Sequence, residues 1–202
     1  MASAENKLLA WLEAEHPDIM RGRDLESLRA LRAAVVGEYP ERVHDMTFLR
    51  HRTMLKLFAR HPRAATCADH ALEVFLTERN RVTCYDDVFC TLERLRSKYR
   101  LYALSNGNAD LNRCGVGELF DGHVTAIAAG AAKPDARIFA HLAAMARVEP
   151  VQVLHIGDDP HCDVVGAMRA GMQAAWLNRD AKPWPPEFAP PSRTISTLAE
   201  IM

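Results

Sequence analysis

Leu154-His155-Ile156-Gly157-Asp158-Asp159-Pro160-His161-Cys162-Asp163-Val164-Val165-Gly166-Ala167 is the stretch on which the reading of this chain turns. An apolar segment, Val153 to Ile156, ends at Gly157 and delivers Asp158, Asp159 and Asp163 into a loop. Acids at the carboxyl end of a buried parallel strand lie where open α/β sheets place their ligands. Neighbouring carboxylates repel one another and are costly to desolvate without a cation. Their hard oxygens suit Mg²⁺, which takes one or two protein acids together with water and phosphate oxygens. The segment therefore points to metal-assisted chemistry on a phosphate. A plainer reading competes with it: Asp159 or Asp163 could cap the helix that follows.

Working outward, residues 86–202 alternate short apolar runs with helical patterns. Strands are expected at Leu101 to Leu104, Val124 to Ala128, Val153 to Ile156, Ala174 to Leu177 and Arg193 to Ile195. Helices are expected from Val88 to Tyr99, from Pro134 to Met145, after the acid loop to Ala170-Gly171, and at the carboxyl end. That alternation implies a doubly wound parallel sheet. Residues 1–85 instead carry apolar positions three and four apart, such as Leu25, Leu28, Leu31 and Val35, and read as packed helices. The cations of this half (Arg42, His44, Arg50, His51, Arg52) could line a cleft, but read more simply as a solvated helix face. The expected fold is thus α/β, with a helical domain over 1–85 and a sheet domain over 86–202.

Bulk properties narrow the function classes. The 202 residues are 49% hydrophobic and 25% charged, with a formal net charge of −1, so nothing steers the chain toward nucleic acid or a membrane surface. No apolar run approaches a membrane span, and no secretory signal precedes Asn6. Five cysteines without a CxxC pair argue against a disulfide framework or a structural zinc site and fit a reducing cytoplasm.

Two further motifs stand at strand ends. Ser105-Asn106-Gly107 offers a hydroxyl, an amide and a permissive turn to a phosphate oxygen, and is equally a common turn composition. Lys133-Pro134-Asp135 precedes a helix, with proline suited to the first helical turn. The lysine there could offset the repulsion between an attacking carboxylate and a phosphate, or lie on the surface.

Together and in this order, Leu104-Ser105-Asn106-Gly107, Lys133-Pro134-Asp135 and Gly157-Asp158-Asp159…Asp163 resemble the second, third and fourth motifs of the haloacid dehalogenase-like (HAD) hydrolases. The resemblance covers residues 86–202 and implies a Rossmann-like core, with the helical first half as a cap domain. It implies that Ser105 binds the phosphoryl group, helped by the Asn106 backbone, and that Lys133 neutralises charge among phosphate, nucleophile and acids. It implies Asp158 as a direct Mg²⁺ ligand, supported by Asp163 and Asp159.

The family's first motif is Asp-x-Asp at the end of the first, central strand, and no Asp-x-Asp occurs in these 202 residues. The expectation is that the central strand and the nucleophile are both missing, leaving two strands without a partner on one side. Either the sequence starts late, at an internal methionine, or it is a shortened, non-catalytic relative; the three retained motifs favour a late start. The leading functional reading is a Mg²⁺-dependent phosphatase that hydrolyses a small phosphomonoester through an aspartyl-phosphate in its intact form, inactive over these residues alone. The alternative is a non-catalytic HAD-like binding module. A metal-free 2-haloacid dehalogenase comes third, because Asp158 demands a cation and dehalogenation does not. The expected partner is a small phosphorylated metabolite, without nucleic acid or membrane, and the unpaired sheet positions leave room for a homo-oligomer.

Overall fold

A computed structural model describes residues 2–201. The chain divides into two compact units, residues 1–82 with 108–115, and residues 83–107 with 116–202.

The first unit is built from α1 (Ala2–Glu15), α2 (Pro17–Met20), α3 (Leu25–Glu38), α4 (Met46–Leu57) and α5 (Ala64–Arg79). Two of these helices, α3 and α4, start where a side chain satisfies a free N–H group of the first turn. Asp24 accepts from Ser27 N at 2.8 Å while Ser27 Oγ accepts from Asp24 N, a reciprocal cap on α3. Asp45 accepts from Phe48 N at 2.9 Å at the head of α4. The apolar stripes meet in one core around Leu8, Leu12, Leu28, Phe58, Ala71 and Phe75.

Two sequence expectations change here. Residues 108–115 pack with the helices although they follow the first strand in the chain: Asn80 Oδ1 accepts from Asp110 N at 2.7 Å and Glu73 pairs with Arg113. Arg50 is not on a solvated face. It is 6% exposed, with its guanidinium 3.5 Å above the Phe75 ring centre and 3.9 Å from Glu5. The ring and the carboxylate together replace its water.

The second unit holds α6 (Val88–Arg96), β1 (Tyr102–Ser105), β2 (Gly122–Thr125), α7 (Ala126–Ala129), α8 (Ala136–Ala146), β3 (Leu154–Gly157), α9 (Gly166–Arg169), β4 (Gln173–Leu177) and β5 (Arg193–Ile195). All ladders are parallel, as the alternation of strands and helices requires. β1 pairs with β2, Leu104 facing Val124. β3 pairs with β4, and β4 with β5, Ile156 facing Ala175 and Trp176 facing Thr194. Among the described residues no ladder joins β1 to β3, so the sheet stands as a two-stranded and a three-stranded piece. α8 buries Ile138, Phe139 and Leu142 against Val124, Val164, Ala174 and Trp176, the core of this unit. Full burial of one such side chain is worth about 1.5–3 kcal/mol.

Element boundaries moved for local reasons. The expected strand over Val124 to Ala128 stops at Thr125, whose hydroxyl accepts from Ala128 N at 3.1 Å and starts α7. Pro134 lies outside its helix: Asp135 is the cap, accepting from Arg137 N at 2.9 Å, and α8 starts at Ala136. The expected terminal helix is a single 3₁₀ turn, Leu198–Ile201. Among the described residues no helix is long and apolar enough to cross a membrane.

Candidate active site

Within the second unit, the three motifs meet through one lysine. Lys133 Nζ donates to Asp163 Oδ1 at 2.6 Å and to the Leu104 carbonyl at 2.9 Å. One ammonium thus spans from the end of β1 to the helical segment that follows β3.

Asn106 places that lysine. Its Nδ2 donates to the Lys133 carbonyl at 2.9 Å, and its Oδ1 accepts from the Lys133 N–H at 2.6 Å. An amide that clamps both backbone groups of one residue fixes where its side chain starts. This positioning by the Asn106 side chain is a role that the motif alone did not reveal. Ser105 Oγ accepts from Gly107 N at 2.9 Å, which closes the turn and leaves the hydroxyl proton available to a ligand.

The acid loop separates into three environments. After Gly157 the chain runs through a wide helical turn, Pro160–Val165, before α9. Asp159 is its cap, Oδ1 accepting from Cys162 N at 2.6 Å. Asp163 is buried, and both its oxygens are engaged: Oδ1 by Lys133 and by His155 Nε2 at 3.2 Å, Oδ2 by Asp159 N at 3.0 Å. Burial alone would raise the Asp163 pKa, but the His155 bond and the Lys133 charge outweigh it and hold the carboxyl well below the usual carboxylate range. Asp158 is exposed, and among the described residues no hydrogen bond reaches its carboxylate. Its backbone is held, because its carbonyl accepts from the buried Trp176 Nε1 at 3.0 Å. The Asp158 carboxylate is thus open to a ligand, with the Lys182 charge as its electrostatic neighbour. The carboxylates of Asp163 and Asp159 are instead engaged within the protein.

Two glycines make this packing possible. A Cβ on Gly157 would lie 2.2 Å from Asp163 Cγ, so the Asp163 carboxylate passes through space that any side chain there would fill. A Cβ on Gly166 would meet Phe139 at 2.9 Å and the Pro134 backbone at 3.1 Å. The lysine motif and the acid motif are therefore pressed together.

His155 is the residue that sequence reasoning missed. It stands on β3 two positions before Gly157, edge-on to Phe139 with ring centres 5.4 Å apart. A polar side chain inside an apolar strand, on the same face as the glycine, was the available signal. Cys162 lies in the loop, but burial first, and then the charges of Asp159 and Asp163, push its thiol pKa up. It is held as a thiol, not as a nucleophilic thiolate.

The pattern of the haloacid dehalogenase-like hydrolases matches residues 9–171. The chain belongs to that family. It is 34% identical over 177 residues to the 5-amino-6-(5-phospho-D-ribitylamino)uracil phosphatase YigB of Escherichia coli (strain K12), covering 86% of this chain and 74% of that one. It is 33% identical over 135 residues to a phosphoserine phosphatase of Thermus thermophilus, covering 64% of this chain and 54% of the relative. The crystal structure of a 2-haloacid dehalogenase from Pseudomonas syringae pv. Tomato DC3000 superposes with a TM-score of 0.92 at 32% identity, over 99% of this chain and 88% of that one. A HAD-like α/β hydrolase fold is thereby established, with phosphatases and a dehalogenase both among its relatives.

Proposed function

We propose that this chain carries the phosphate- and cation-binding side of a Mg²⁺-dependent phosphatase acting on a small phosphomonoester. The observation that carries the reading is the Asp158 carboxylate, free of hydrogen bonds among the described residues, in the same loop as Asp163, which Lys133 holds. A metal-free dehalogenase has no use for such an acid, so Asp158 favours phosphate over halide chemistry. Phosphatases among the relatives, YigB and the phosphoserine phosphatase, support the same choice.

The roles follow from the geometry. Ser105, with its hydroxyl proton free, donates to a phosphoryl oxygen, and the Asn106 backbone assists. Lys133, clamped by Asn106 and pinned by Asp163, presents its charge near the end of β1 and lowers the repulsion between an attacking carboxylate and a phosphate. Asp158 holds Mg²⁺, with Asp163 and Asp159 fixing the loop beneath it. The bound cation would offset the charge of the phosphoryl oxygens. The helices of residues 1–85 act as the cap. Attack on phosphorus requires an aspartate from an Asp-x-Asp motif, which these residues do not contain, so they are inactive alone. The small, nearly neutral, CxxC-free chain suits a phosphorylated metabolite in the cytoplasm, without nucleic acid or membrane.

The test is hydrolysis of an aryl phosphate and a panel of small phosphomonoesters with and without Mg²⁺. The chain should show no turnover. The same chain extended at its amino end by a family member's first strand and Asp-x-Asp loop should gain Mg²⁺-dependent turnover. A folded extended chain that binds phosphate without turnover would favour a non-catalytic binding module. Metal-independent release of halide from a 2-haloacid would replace the phosphatase reading by dehalogenation.

A further inference from the structure

We propose that His16, His61 and Cys67, in the helical first unit, form a binding site for a thiophilic transition-metal ion of the zinc type, completed by water.

The three side chains come from separate places in the chain. His16 is the residue between α1 and α2, His61 lies in the turn between α4 and α5, and Cys67 is in the first turns of α5. Their donor atoms nevertheless lie within 4.8 Å of one another, and Cys67 Sγ is 3.4 Å from His61 Nδ1. Zinc bonds of ~2.3 Å to sulfur and ~2.0–2.1 Å to nitrogen at tetrahedral angles put neighbouring donors about 3.5 Å apart. The edge from Cys67 Sγ to His61 Nδ1 already has that length, and the remaining edges need to close by at most ~1.3 Å to reach it.

The surroundings are largely apolar. Cys67 is 8% exposed and the neighbouring Phe58 is fully buried. His16 stands edge-on to Phe58 and to Trp11, with ring centres 4.8 and 5.1 Å apart. Arg63 N donates to His61 Nδ1 at 3.1 Å. A metal on Nδ1 would replace that bond, whereas one on Nε2 would keep it. Glu15 faces the cluster with a negative charge, and His70 and Arg63 face it from the other side of the balance. His16 and His61 keep an outer edge in partial contact with solvent, which gives an ion an entry path.

The donor set defines the ligand class. One thiol and two imidazoles select borderline and soft ions such as Zn²⁺ or Co²⁺ and exclude Mg²⁺, which prefers oxygen. On binding, the Cys67 S–H bond breaks, its proton passes to solvent, and the thiolate pair forms the metal–sulfur bond. The ion would tie the α1–α2 junction to the α4–α5 turn. It would stabilise the folded chain as free metal rises, because the unfolded chain does not hold these groups together. The site is independent of the acid loop, whose residues all lie in the other unit.

The experiment uses the full chain, stripped with a chelator. Titration with Co²⁺ should give one equivalent bound and a thiolate-to-cobalt charge-transfer band in the near ultraviolet. The band should vanish in Cys67→Ser, weaken in His61→Ala and His16→Gln, and survive in Cys162→Ser. In the unaltered chain, stoichiometric Zn²⁺ should slow alkylation of Cys67, followed by mass spectrometry, by about tenfold or more, the change that 1.4 kcal/mol of protection gives. Mg²⁺ should not slow it, and the exposed Cys90 should react equally in all conditions. A cobalt complex without the thiolate band, or Cys67 alkylation unchanged by Zn²⁺, overturns the site.

Discussion

Lys133 Nζ sits 2.6 Å from Asp163 Oδ1, and both side chains are largely withdrawn from water, 11% and 7% exposed. Among the described residues, the remaining partners of Asp163 are the His155 imidazole and a backbone N–H, and that of Lys133 is a carbonyl. Breaking a buried pair from one side is far costlier than the pair's net worth, because the other charge is left uncompensated.

Lys133→Ala should therefore destabilise the chain by about 3 kcal/mol in urea unfolding. Asp163→Asn in the same background should add much less than it does alone, a double-mutant coupling of about 1 kcal/mol or more. A single-variant loss under about 0.5 kcal/mol would show that water already screens the pair.

Acid should weaken this contribution in a defined direction. The folded chain holds Asp163 well below its ordinary value of 3.8, so unfolding takes up a proton once the pH falls to about that value. The stabilisation is complete above about pH 5 and is lost as the pH drops toward the folded-state pKa. Urea unfolding of the natural chain and of Asp163→Asn across pH 3–7 should show a stability gap that is flat at the upper end and narrows at the lower.

Gly157→Ala should be among the most damaging single-methyl additions available. Its Cβ would meet Asp163 Cγ at 2.2 Å, so the carboxylate must leave Lys133 or the strand must shift. A cost of about 2–3 kcal/mol is expected from overpacking together with disturbance of the ion pair. Gly37→Ala is the control: a Cβ there meets nothing within 4 Å, so its melting temperature should not fall.

Asp158→Asn should separate binding from folding. Its carboxylate has no hydrogen bond to lose among the described residues, so stability should change by no more than about 0.5 kcal/mol. Mg²⁺ affinity, measured by calorimetry, should fall by about tenfold or more, because one anion of a set of one or two carboxylates is gone. Unchanged affinity would move the ligand role to Asp159 or Asp163.

Asn106→Ala should act on Lys133 without touching it. Two hydrogen bonds to the Lys133 backbone disappear, at about 1–3 kcal/mol of stability. In the extended, active chain this should lower kcat more than it raises KM, while Asn106→Gln restores little because its amide reaches one carbon too far.

The sequence by itself determined the parallel α/β class, the helical character of the first half and the acid loop. Each rests on short-range signals: periodicity, an apolar run ending at glycine, and acids clustered within a few residues. Only the tertiary structure decided which acid stays uncommitted. Asp158, Asp159 and Asp163 look alike along the chain, and they differ because Lys133, His155 and the Cys162 N–H reach two of them and not the third. Those donors lie at sequence separations of 30, 8 and 3 residues, and the longest of them is set by packing. The same limit hid His16, His61 and Cys67, which no local spacing unites, and the burial of Arg50, whose aromatic partner Phe75 lies one helix further on. Periodicity places a residue on a face of its own element; what that face meets depends on how distant elements close around a shared core.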